Sequence, residues 1–276
     1  MHPGKNRLQA RIGFIGLGNQ GGPIARRIGE AGWPLALWAR RPEVLNDYEG
    51  IARRVESPEA LARQSDILSL CVVDDAGVDA LMQSVLPEMR SGSLIAIHST
   101  IHPDNCVAWA RRASERGVAL IDAPVSGGAA GAAAGTLTVM MGGTPDDCDR
   151  ALPLFRSFGK LIVRLGDVGA GQRAKLLNNT LLAAIMGVTQ EAREAGEALG
   201  LDLAALDSIL AASSGSSFGH GVLRSLPDIA AFRHGADLLR KDVGLLRQIC
   251  TQDGAAPRGL LAEGDAFLAR FSDHQA

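Results

Sequence analysis

The sequence predicts an α/β unit on a mainly parallel sheet, followed by an all-helical unit that a long helix opens. Three observations predict it. Short β-branched apolar runs alternate with helical patterns through roughly the first 170 residues. Strand signals then stop after about Gly171, and from residue 172 to 199 the apolar residues recur with a helical period.

In chain order, the strand runs are residues 11–15, 35–38, 67–73, 94–97, 119–121, 137–141 and 161–163. Helical stretches at 23–31, 76–86 and 103–116 separate most of them, and Pro103 suits the first turn of the last. Alternation of this kind calls for a parallel sheet with helices on both faces. The long helix carries Leu176, Leu177, Leu181, Leu182, Ile185, Met186 and Val188, then Glu191, Glu194 and Glu197 before the Gly200-Leu201-Asp202 break. Its first half is apolar nearly all round, so it should be buried on several sides, and its acidic end should emerge toward solvent. A helical unit of only about a hundred residues buries such a helix more readily by pairing with a second copy, so a homodimer or homotetramer is expected. The expected division is 1–170 and 171–276. No internal repeat is visible, and the biased stretch at 127–135 (GGAAGAAAG) is short.

Composition narrows the function classes. A formal net charge of −2 gives no reason to expect nucleic-acid or membrane binding, and aromatics at 4% make no stacking surface for bases. Cys71, Cys106, Cys148 and Cys250 are far apart and form no CxxC pair, which speaks against a zinc site or a disulfide framework. The segment 1–10 is polar and basic with no apolar run behind it, and the longest apolar stretch, 181–188, is too short to span a bilayer. A cytoplasmic chain without metal is expected.

The run Arg11-Ile12-Gly13-Phe14-Ile15 leads into Gly16-Leu17-Gly18-Asn19-Gln20-Gly21, and a helical pattern follows. GxGxxG alone is a weak signal; between a strand and a helix it becomes a mechanism. Gly16 permits the tight turn, Gly18 lets a pyrophosphate approach the backbone, Gly21 allows close helix packing, and the helix N-terminus offers N–H groups to phosphate. The first unit is therefore expected to be Rossmann-type. Cofactor contacts are expected from Gly16, Gly18, Asn19, Gln20 and Gly21, and from Val72 and Val73 at the end of the third strand run. The second strand ends Leu37-Trp38-Ala39-Arg40-Arg41-Pro42, without the acid that would hold a ribose 2′-hydroxyl. Two guanidinium groups there suit a 2′-phosphate, although Arg41 also reads as a solvated loop charge. NADP(H) is the preferred cofactor and NAD(H) the alternative.

Four further segments stand out: His98-Ser99-Thr100, Asp122-Ala123-Pro124-Val125-Ser126-Gly127-Gly128, the run from Gly169 through Lys175 to Asn178-Asn179, and Lys241-Asp242. With the N-terminal GFIGLGNQGGPIA they resemble the β-hydroxyacid dehydrogenase family, which includes 3-hydroxyisobutyrate dehydrogenase and tartronate semialdehyde reductase. The resemblance runs from about residue 11 to about 260, with the motifs in the family's order. It implies a nucleotide-binding domain, an all-helical domain and an active site in the cleft between them. It further implies that Lys175 is the catalytic lysine and that Asn179 holds a small carboxylate substrate, with Asn178 beside it. Ser126, Gly127 and Gly128 would bind the carboxylate, and Thr100 and Lys241 would contact the nicotinamide end of the cofactor.

The residues agree on their own terms. Lys175 and Asn179 stand i, i+4 on one helix face. Hydride transfer from an alcohol carbon needs a group to take the hydroxyl proton, and a lysine whose pKa is lowered by partial desolvation, or by a second cation such as Lys241 where the resemblance implies it is near, suits that role. Plainer readings exist: a snorkelling Lys175, a capping Asn178, Ser126 in a simple turn, Asp122 as a strand-end hydrogen-bonding residue, Asp242 as an interdomain ion-pair partner. Two departures from the family bear on substrate. Gln20 stands where Met is usual, and His98 precedes Ser-Thr where Met or Cys is commoner; a second histidine, His220, lies in SSGSSFGHG at 213–221. Rival readings are an imine reductase on the same scaffold, whose members generally replace the lysine by Asp or Tyr, and an inactive NADP-binding module. A 6-phosphogluconate-type enzyme has no sugar-phosphate site to support it here.

Overall fold

The computed structural model describes residues 10–255 and 257–272; the polar start at 1–9 and the last four residues lie outside them. The chain forms two compact units, Met1–Lys175 and Leu176–Ala276.

Unit 1 runs β1 (Ile12–Ile15), α1 (Gly21–Glu30), β2 (Leu35–Trp38), β3 (Arg53–Arg54), α2 (Pro58–Gln64), β4 (Ile67–Leu70), α3 (Asp75–Val85), β5 (Leu94–Ile97) and α4 (Pro103–Ser114). It continues with β6 (Ala119–Asp122), β7 (Val125–Ser126), α5 (Gly128–Ala134), β8 (Leu137–Gly142), α6 (Pro145–Phe155) and β9 (Gly159–Gly166). The strands make one sheet of order β3-β2-β1-β4-β5-β6-β8-β7, with β9 paired to β8. The first six are parallel, and β6 and β7 meet β8 antiparallel.

The sheet is covered on both faces, which is why its central strands read as unbroken apolar runs. Period-two alternation then sorts the side chains. Phe14, Ile67 and Ala96 join the core under α1, α5 and α6, while Ile15, Leu68 and Ile95 join the core under α2, α3 and α4. Each large side chain fully buried there, such as Phe155 or Phe158, contributes about 1.5–3 kcal/mol relative to exposure. Helix starts carry their own signals: Ser57, Asp74 and Thr144 accept from the backbone N–H groups of Ala60, Gly77 and Asp147. Pro103 opens α4 as expected.

Several local expectations needed correction. The third strand run stops at Leu70, because Cys71 to Val73 leave the ladder for a loop. Two-residue strands β3 and β7 are too short for periodicity to reveal. The alanine-rich stretch at 127–135 is a helix, α5, bounded by Gly127 and Gly135 at φ 129° and 69°.

The long helix α7 (Ala170–Ala198) begins in the last residues of unit 1 and continues into unit 2. Unit 2 adds α8 (Leu203–Ala212), α9 (Phe218–Ser225), α10 (Arg233–Gln252) and α11 (Arg258–Ala269). Its core joins Ala183 and Met186 of α7 to Leu223, Leu239, Val243 and Phe267. Burial of α7 on several sides is not met within the chain: Leu177, Leu181 and Val188 are 46%, 51% and 47% exposed. Unit 2 supplies apolar partners to one stripe of the helix only. Among the described residues no helix is long and apolar enough to cross a membrane.

Candidate active site

The β1–α1 loop gives each glycine a physical task. Gly16 sits at φ 103°, and a Cβ there would run into the Cys71 carbonyl. A Cβ at Gly21 would strike the Gly16 carbonyl, so α1 starts against its own loop. By contrast, a Cβ at Gly18 would meet nothing within 4 Å, so the loop backbone faces open space there. Gln20 is the N-cap of α1 and makes no side-chain cap, and no acid occupies the first turn. Strand order reverses between β1 and its neighbours β2 and β4, the place where open α/β sheets bind ligands. These residues fit a dinucleotide pyrophosphate. Arg40 and Arg41 follow β2 with exposed side chains, and Val73, after β4, is 70% exposed.

The ends of β4, β5 and β6 are tied together by side chains. The Val72 N–H donates to Ser99 Oγ at 2.8 Å. His98 lies in the core among Phe14, Phe155 and Phe158, with Nδ1 2.9 Å from the Ala123 carbonyl and Nε2 3.2 Å from Ser69 Oγ. Burial pushes its pKa down to about 4, so it is neutral near pH 7. At 3% exposure His98 is a sheet-binding residue. His220 is likewise buried, 3.0 Å from Asp207 Oδ1, which also lies 3.2 Å from Arg193 Nε.

Ser126 ends β7 opposite Thr138, and the chain turns through Gly127 and Gly128 at φ 129° and 65°. A Cβ at Gly128 would again meet nothing, so a turn built from left-handed glycines presents bare backbone beside the Ser126 hydroxyl.

Asp122 at the end of β6 accepts from the Gly169 N–H at 2.6 Å and the Gln172 N–H at 2.8 Å, anchoring the start of α7. Burial raises its carboxyl pKa to about 6, against the opposing pull of those N–H groups. Gly171 must lack a side chain, because a Cβ would strike the Met140 carbonyl. Gln172 is fully buried: its Nε2 donates to the Ser99 carbonyl at 2.8 Å and its Oε1 accepts from the Ile101 N–H at 3.1 Å. Lys175 follows one turn on, half-buried. Sequence reasoning assigned no role to Gln172, which reads as an ordinary polar residue of a helical pattern, and only a strand-end bond to Asp122.

Unit 2 holds its own polar cluster. Asn179 Nδ2 donates to Asp242 Oδ2 at 2.6 Å, and Asn178 Nδ2 donates to Asn179 Oδ1 at 3.1 Å. Lys241 Nζ lies 3.5 Å from Asp242 Oδ1. Asp242, read from sequence as an interdomain partner, thus holds Asn179 within unit 2.

Fold and loop geometry define a dinucleotide-binding protein. Residues 11–166 match the family of the NAD binding domain of 6-phosphogluconate dehydrogenase, and residues 169–274 match the family described as NAD-binding of NADP-dependent 3-hydroxyisobutyrate dehydrogenase. The NAD-dependent L-serine dehydrogenase of Pseudomonas aeruginosa is 36% identical over 91% of this chain and 89% of its own. Human mitochondrial 3-hydroxyisobutyrate dehydrogenase is 34% identical over 87% of this chain and 75% of its own. The solved 3-hydroxyisobutyrate dehydrogenase of Mycobacterium tuberculosis with L-serine superposes with a TM-score of 0.84 at 26% identity, covering 97% of this chain and 95% of that one. An imine reductase from Pseudomonas shares the fold alone, at TM-score 0.67 and 21% identity over 95% of this chain and 92% of its own. The chain belongs to the β-hydroxyacid dehydrogenase family and is an NAD(P)-dependent, 3-hydroxyisobutyrate dehydrogenase-like oxidoreductase.

Proposed function

We propose that the chain interconverts a small β-hydroxy acid and its semialdehyde or keto form, prefers NADP(H), and uses Lys175 as the proton-handling residue. The observation that carries this is the pedestal under Lys175: the first turn of α7 is fastened by Asp122 to the end of β6 and by Gln172 to the backbone of Ser99 and Ile101 after β5. The loop at 16–21 would hold the cofactor by its pyrophosphate, and its nicotinamide end would then supply the hydride acceptor for oxidation and the donor for reduction. The chain's own residues do the rest. The Ser126 hydroxyl and the backbone N–H groups of Gly127 and Gly128 receive the substrate carboxylate. Lys175 takes the hydroxyl proton during oxidation and returns it during reduction. Asn178, Asn179 and Lys241 keep the substrate and cofactor roles that the family resemblance implies, and Thr100, Val72 and Val73 those toward the cofactor. Residues 1–170 serve as the nucleotide-binding domain and 171–276 as the substrate and dimerisation domain.

NADP(H) is favoured by Arg40 and Arg41, where an NAD site would carry an acid. The substrate class is drawn from relatives: L-serine and 3-hydroxyisobutyrate are both small β-hydroxy acids. The test is transfer of the carbinol hydrogen of such an acid to NADP⁺. An imine reductase is disfavoured by Lys175, and activity confined to cyclic imines would establish it instead.

The apolar residues Leu177, Leu181 and Val188 leave one side of α7 at i, i+4 and i+11, and we assign that stripe to contact with a second copy. Light scattering on the purified protein should give at least twice the 28.9 kDa chain mass. A Leu181→Glu change should lower it to one chain; a wild-type monomer at micromolar concentration would refute the assignment.

A further inference from the structure

The geometry points to Gln172 as a positioning residue that sets where the Thr100 peptide stands relative to Lys175. The two ends of its amide bracket Thr100: Nε2 donates to the carbonyl of Ser99, and Oε1 accepts from the N–H of Ile101. One side chain thereby holds the backbone on both sides of a single residue. Its own N–H donates to Asp122 Oδ2, so the same residue is pinned to the end of β6. Ser99 carries the restraint one step further, because its Oγ accepts from Val72 N–H after β4. Lys175 lies three residues beyond Gln172 on the same helix, so any shift of Gln172 carries Lys175 with it.

A helix start needs no such residue for stability: Asp122 already accepts from the Gly169 and Gln172 N–H groups. What Gln172 adds is register. A primary amide is the one side-chain group of this length that donates and accepts side by side, as the Ser99 carbonyl and the Ile101 N–H require together. Methionine fills the volume and makes neither bond. Glutamate makes the Ile101 bond when ionised and both bonds only when protonated.

This inference rests on the proposed role of Lys175, and its test separates the two. Wild type, Lys175→Ala, Gln172→Met and Gln172→Glu are compared in hydroxy-acid oxidation. Amide hydrogen exchange at Ile101 in the unliganded protein reports the clamp without reference to activity. Gln172→Met should accelerate exchange at Ile101 and lower kcat by about 10- to 100-fold, the scale of an ångström-sized misplacement. The KM for the hydroxy acid and the Kd for NADPH should stay within about threefold. Gln172→Glu should recover kcat relative to wild type as the pH falls, because burial beside Asp122 favours the protonated acid; Gln172→Met should show no such recovery. Faster exchange at Ile101 with wild-type kcat, or a Gln172→Glu to wild-type ratio independent of pH, overturns the positioning role. Full activity in Lys175→Ala, or no hydroxy-acid oxidation by wild type, overturns the functional reading and this inference with it.

Discussion

Lys175→Ala should lower kcat for β-hydroxy acid oxidation by about 10²- to 10⁴-fold, the range that positioned proton transfer contributes. NADPH affinity should change by less than about twofold, because the residues proposed to hold the phosphates, the loop at 16–21 and the arginines after β2, belong to elements other than α7. Fluorescence titration of NADPH beside steady-state kinetics reads both quantities. The loss should fall on kcat and on kcat/KM alike, the signature of an interaction made in the transition state. Unchanged turnover would remove Lys175 from the mechanism. A parallel loss of NADPH binding would make it a structural residue at the helix start.

Arg40→Asp should reverse the cofactor preference. A guanidinium on a 2′-phosphate forms charge-assisted bonds of about 1.5–3 kcal/mol, and an aspartate there both removes them and repels the phosphate. The NADP/NAD ratio of kcat/KM should fall by about 10²-fold or more, since 1.4 kcal/mol is a factor of ten. The new carboxylate can accept from a ribose 2′-hydroxyl, so the NAD value should rise as well as the NADP value fall. Arg40 is exposed, so raising the salt should shrink the difference. A ratio that does not move would reassign the 2′-phosphate to Arg41 or abolish the NADP preference.

Much of the fold was legible because its signals are local and repeated. The central parallel strands are short apolar runs in a sheet covered on both faces, and GxGxxG announced β1, its turn and α1 in one stretch. The start of α4 was legible at Pro103, and the span of α7 in its apolar period. Helices α2 and α6 were not read from the sequence although Ser57-Pro58 and Thr144-Pro145 mark their starts, whereas the shortest strands had no local signal. β3 and β7 are two residues each, and only their pairing partners make them strands. Helix α5 was hidden by composition, since a run of Gly and Ala reads as loop until the left-handed glycines at both ends frame it.

The candidate site divides in the same way. Lys175, Ser126 and the loop glycines stand in motifs whose residue types declare their chemistry. Gln172 and Asp122 do not, because their partners are distant in sequence: Ser99 and Ile101 for one, Gly169 and Gln172 for the other lie between 47 and 73 positions away. For His98 the sequence left a pocket role and a plain structural role both open. Burial among three phenylalanines keeps it neutral, against the pull of the Ala123 carbonyl, and two hydrogen bonds fix it in the sheet core.

The central claim is that the carbinol hydrogen of a β-hydroxy acid passes to NADP⁺ in this protein. The most direct measurement uses L-serine and 3-hydroxyisobutyrate deuterated at the carbinol carbon, with mass spectrometry of the reduced cofactor. Deuterium at the nicotinamide, with a primary isotope effect on the single-turnover rate, is the predicted result. Reduced cofactor without deuterium, or reaction only between NADPH and a cyclic imine, would contradict it.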